Sequence, residues 1–99
     1  MAMGIQWDLG RIEDFCGRWK VTELSLFGSV LRGDFRKDSD VDVLVTFAPD
    51  ARVGLITLSK MEQELSVMFG HKVDLVTKGG LKPLIRDEVL SQAEVLYAA

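Results

Sequence analysis

Two aspartates one residue apart, Asp40 and Asp42, sit inside the valine run DVDVLV. Aspartate is a poor strand former and is seldom buried without a partner. Side chains alternate across a strand, so both carboxylates share one face and Val41, Val43 and Val45 share the other. The triplet Val73-Asp74-Leu75 repeats the arrangement. If the two strands lie side by side with their apolar faces on helices, Asp40, Asp42 and Asp74 converge on the open face. Like charges gathered this way repel, and a bound cation relieves them. Oxygen-only ligands favour a hard cation, Mg²⁺ above all where phosphates complete its octahedron. Paired metals are a common device for displacement at phosphorus. Alone, Asp-x-Asp is more often a solvated strand face, so its weight comes from what surrounds it.

Upstream stands the pair Gly28-Ser29. Glycine lets a phosphate approach the backbone closely, and amides opening a helix favour anions. The hydroxyls of Ser29 and Ser39 add donors, and Arg32, Arg36 and Lys37 add local positive charge. Alone, Gly-Ser reads as a helix cap and Arg36-Lys37 as an exposed turn.

These residues need a rigid frame. A helix is predicted over 8–19, with Asp8 as N-cap and Leu9, Ile12, Phe15, Cys16 and Trp19 on one face. VTELSLF, 21–27, reads as a strand, and a short helix follows from Ser29 to about Gly33. Residues 40–47 form a second strand. A helix over 54–69 carries the stripe Leu55, Leu58, Met61, Leu65, Met68 and Phe69, and Gly70 caps it. KVDLVT is a third strand, KGG a turn, 83–92 a last helix opened by Pro83, and EVLYA a final short strand. The alternation gives an α/β fold in two layers. With short connections and 99 residues, the whole chain, 1–99, is predicted to be one domain.

Composition narrows the function. No apolar run approaches the roughly 18 residues of a membrane span, and the N-terminus lacks a signal-peptide layout. Cys16 has no disulfide partner in the chain, which fits a reducing cytoplasm. A net charge of −3 argues against an extended nucleic-acid surface. Met61, Met68 and Cys16 read as packing and His71 as a cap on the turn after Gly70 or an exposed side chain; Trp7 and Trp19 fit either core or a partner surface. The charged face of the last helix, with Lys82, Arg86, Asp87 and Glu88, reads as solvated.

The stretch GSVLRGDFRKDSDVDVLV resembles the Gly-Ser-x-x-Arg-Gly-x(5)-Ser-Asp-x-Asp-x-x-Val signature of the minimal nucleotidyltransferases, within the DNA polymerase β superfamily. The similarity runs over about residues 20–97, and Leu31 departs from the small residue often found before the arginine. The resemblance implies a two-layer nucleotidyltransferase fold, a mixed β-sheet with helices packed on one face. It implies that Gly28 and Ser29 hold the β- and γ-phosphates of a nucleoside triphosphate; Arg32 and Ser39, read above from charge and hydroxyl, join them as nucleotide-binding candidates. It implies that Asp40 and Asp42 bind two Mg²⁺ ions. Asp74 matches the third carboxylate, which also ligates the catalytic metal and helps deprotonate the attacking hydroxyl.

The implied reaction moves a nucleotide, AMP from ATP, onto a hydroxyl acceptor. In the family the acceptor commonly belongs to a helical HEPN toxin, with the nucleotidyltransferase as antitoxin in a hetero-oligomer. Two alternatives stand beside this reading. One is a non-catalytic antitoxin that acts by complex formation. The other is transfer to a small molecule or an RNA end.

Overall fold

The computed structural model describes residues 7–31, 40–81 and 83–99. Asp8 opens the first helix: its carboxylate accepts the N–H groups of Gly10 at 2.8 Å and Arg11 at 3.3 Å. Helix α1 runs Leu9–Trp19 and ends on Lys20 in the left-handed region, φ 58°, whose N–H returns to the Cys16 carbonyl. Strand β1 follows at once, Val21–Phe27, then a 3₁₀ turn, Gly28–Leu31. Strand β2 is Val41–Phe47, helix α2 Leu55–Phe69 and strand β3 Val73–Thr77. A second 3₁₀ turn, Lys78–Gly80, leads to helix α3, Pro83–Gln92, and strand β4, Glu94–Ala98. Gly70 ends α2 with φ 71°, a conformation that favours glycine.

The four strands form one mixed sheet in the order β3-β2-β1-β4. β2 and β3 are parallel; β1 is antiparallel to both β2 and β4. On one face α1 and α2 bury Ile12, Phe15, Cys16, Met61, Leu65 and Phe69 against Leu24, Leu26, Val41, Val43, Val45, Val73 and Leu75. Burial of these apolar faces is the main stabilising term. Trp7 meets Phe69 edge-on at 6.5 Å and Trp19 tilts on Phe15 at 6.4 Å, so both tryptophans support the core. Two residues of the predicted stripes do not join it: Leu9 is 56% and Leu55 85% exposed. Each is the first residue of its helix, ahead of the turn that meets the sheet.

The connection from β3 to β4 links opposite edges of the sheet, so it crosses the face that α1 and α2 leave open. Lys78 is paired there with Glu23 of β1 at 3.1 Å, and Arg86 of α3 donates to the Lys78 carbonyl at 3.1 Å. Ser25 and Leu44, register partners on this face, are also buried.

Candidate active site

Asp42 and Asp74 are register partners on neighbouring parallel strands. Such strands lie about 4.8 Å apart, so the two side chains leave the sheet side by side. Their sequence neighbours Val41, Val43, Val73 and Leu75 are buried on the opposite face. Asp42 is half-buried, whereas Asp74 and Asp40, which directly precedes β2, are exposed. Val41 donates to the Lys72 carbonyl at 2.8 Å, which aligns the entries of both strands. The predicted juxtaposition of the strands is therefore present. Among the described residues no three acidic, His or Cys side chains are drawn close enough to enclose a metal ion. The donor set on this face, carboxylate oxygens only and open to solvent, fits a hard cation that keeps water and phosphate ligands.

Gly28 closes β1 with φ 78°. A Cβ at this position would overlap the Asp42 carboxylate, standing 3.1 Å from Cγ and 3.4 Å from Cβ. Glycine is thus required twice, by backbone conformation and by the carboxylate lying against it. Ser29 is the second residue of the 3₁₀ turn, so the predicted short helix begins one residue earlier and is a tighter turn than expected. Arg32, Arg36, Lys37 and Ser39 lie outside the described residues.

Beside Gly28 and Asp42 is a cavity of about 300 Å³, completed by Phe27 and by Ile85, Glu88, Val89 and Gln92 of α3. The last four share one helix face at i, i+3, i+4 and i+7 spacing. Glu88, predicted to be simply solvated, faces this cavity. Sequence reasoning missed all four because α3 reaches the site through strand order, which places β3 and β4 on opposite edges. The spacing of Ile85, Val89 and Gln92 was the available signal.

Helix α2 positions the strand that carries Asp74. Leu75 donates its backbone N–H to Glu62 Oε2 at 2.8 Å, and Val73 donates to Ser66 Oγ at 3.0 Å. Ser66 in turn donates to the Glu62 carbonyl at 2.7 Å. The i, i+4 step on the helix matches the i, i+2 step on the strand edge. Away from the site, Arg18 joins α1 to α2 through Glu64, which also accepts from Trp19 Nε1 at 3.3 Å.

The model of the nucleotidyltransferase domain family matches residues 11–96. The chain is similar to the protein adenylyltransferase MntA of Thermococcus cleftensis, 41% identical over 80 residues that cover 81% of this chain and 77% of the relative. It is also similar to a solved candidate minimal nucleotidyltransferase at 34% identity and TM-score 0.70, covering 86% of this chain and 85% of that one. One chain of the solved complex of a tri-AMPylated Shewanella oneidensis HEPN toxin with its MNT antitoxin shares the fold, with TM-score 0.65 at 20% identity over 92% of this chain and 70% of that one. With the family model spanning α1 to β4 and glycine and aspartate interlocked at Gly28 and Asp42, the chain belongs to the nucleotidyltransferase domain family.

Proposed function

We propose that this nucleotidyltransferase transfers AMP from ATP to a hydroxyl of a HEPN-family partner and thereby acts as the antitoxin of a two-protein module in the cytoplasm. In this reading the whole chain, 1–99, is one catalytic domain and the partner brings the acceptor. The observation that carries it is the packing of the Asp42 carboxylate against Gly28, with Asp74 in register beside it. The relative named protein adenylyltransferase and the complex with an AMPylated HEPN toxin support both the nucleotide and the acceptor class.

Gly28 and Ser29 receive the β- and γ-phosphates, and Arg32 and Ser39 contribute charge and a hydroxyl to nucleotide binding. Asp40, Asp42 and Asp74 would hold two Mg²⁺ ions, which would supply neutralisation of the phosphoryl charge and would make the attacking hydroxyl more acidic. Asp74 accepts the hydroxyl proton as the oxygen–Pα bond forms. The bond from Pα to the bridging oxygen breaks, and pyrophosphate leaves. Preorganised charge at the phosphoryl group is the main catalytic contribution in such transfers.

Label transfer from α-³²P-ATP in the presence of Mg²⁺ and the co-purified partner tests this. A labelled partner with wild type and none with Asp42→Asn is expected. An unlabelled partner that still binds the wild-type chain and is silenced by it would replace this reading with inhibition by complex formation.

A further inference from the structure

The cavity between Gly28, Asp42 and α3 is not explained by the phosphate and metal roles alone. Its walls are Phe27, Ile85 and Val89, and its polar groups beyond Asp42 are Glu88 and Gln92. The geometry points to α3 as the wall that selects the nucleotide base, with Gln92 as the specificity-determining residue for adenine. This rests on the nucleotidyl-transfer reading above and names the part of the substrate that α3 meets.

Three observations carry it. The first is topological. Asp74, proposed to activate the acceptor, lies on β3, on one side of Asp42; on the other side is β1, whose last residue Phe27 lines the cavity together with Gly28 of the turn that follows. The acceptor therefore approaches from the β3 side, and the cavity takes the nucleotide. The second is chemical. Glu88 can only accept hydrogen bonds when ionised and repels phosphate, so the part of the nucleotide beside it is sugar or base. The apolar side chains of Phe27, Ile85 and Val89 suit a base face. The Gln92 carboxamide presents one donor and one acceptor edge, the pattern that pairs with adenine. The third is positional. Arg86 donates to the Lys78 carbonyl and Lys78 is paired with Glu23, so α3 is linked through the crossing segment to β1. A cavity of about 300 Å³ has the dimensions of small-molecule sites.

The test is a competition of ATP against GTP, read both as equilibrium binding with Mg²⁺ and as transfer to the partner, for wild type, Gln92→Leu and Ile85→Ala. Both positions are exposed, so the variants should melt with wild type. The expected result is a preference for ATP in wild type that falls roughly tenfold in Gln92→Leu, as for loss of one bidentate amide–adenine pair. Affinity for inorganic tripolyphosphate should stay unchanged. Ile85→Ala should weaken both nucleotides together. An ATP-to-GTP ratio untouched by Gln92→Leu overturns the assignment while leaving nucleotidyl transfer standing. A wild-type chain that binds no nucleotide overturns both.

Discussion

The Glu62 carboxylate accepts the backbone N–H of Leu75 at 2.8 Å, so a helix side chain fixes the strand residue next to Asp74. Removing a charged partner from a part-buried N–H costs about 1–3 kcal/mol. Glu62→Ala should lower stability by about that amount in denaturant titrations. It should also lower kcat for transfer with little change in KM for ATP, because the strand carrying Asp74 loosens. Glu62→Gln keeps an acceptor oxygen and should recover most of both losses. Equal loss in the two variants would show that charge, not positioning, is what matters.

Gly28→Ala forces a left-handed alanine and drives its Cβ into the Asp42 carboxylate. A misplacement of about 1 Å at a reacting centre costs on the order of a hundredfold in rate. Transfer should fall by that order, with a thermal midpoint only a few degrees lower, since Asp42 can swing toward solvent. Wild-type turnover in Gly28→Ala would mean that the carboxylate position is immaterial.

Asp74→Asn removes the proposed proton acceptor and leaves the strand edge intact. Loss of such a group costs roughly 10²- to 10⁴-fold. Transfer should fall within that range while ATP still binds, as measured by calorimetry. Asp42→Asn should impair transfer and Mg²⁺-dependent nucleotide binding together.

Acid should undo the α1–α2 clasp. Hydrogen bonding to the Arg18 guanidinium holds the Glu64 carboxyl below the usual carboxylate range and lifts Arg18 above its own. A carboxyl lowered in the folded state stabilises it above its unfolded value, about 4.3 for glutamate, and loses that contribution as pH falls below it. Thermal midpoints of wild type and Glu64→Gln, taken from neutral to acid pH, should therefore converge at the acid end. A constant gap would exclude Glu64 ionisation as the cause.

Cys16 is wholly buried on α1, and burial pushes its thiol up to about 12. The thiolate is the reactive form. A disulfide reagent at pH 8 should modify Cys16 only after denaturant unfolds the chain, read as absorbance of the released thiol. Rapid modification of the native protein would contradict the packing of α1 on β1.

Elements whose signals are local were legible in the sequence. Asp8 at the start of α1, Gly70 at the end of α2 and the period-2 pattern of β1 and β2 each announce a boundary within a few residues. The Asp42–Asp74 pairing required one assumption, that these strands are neighbours, and the parallel register supplies it. What depended on strand order was hidden. Glu88 reads as part of a solvated helix face, and Gln92 carries no signal of its own, until the crossing segment lays α3 beside Asp42. Glu62 and Ser66 lie outside the apolar stripe read on this helix, yet each satisfies a strand amide. The outlying Leu9 and Leu55 show the limit of periodicity, which gives the face of a helix but not how far the sheet beneath it extends.

The two amides that α2 takes from β3 point away from β2, along the open edge of the sheet. An extended peptide docks on a sheet by pairing with such an edge. Beside Asp74 that mode of recognition is closed, because the donors a guest strand needs are already engaged. A protein acceptor of the proposed transfer cannot extend the sheet at these two donors, so its hydroxyl reaches the carboxylate face without pairing there.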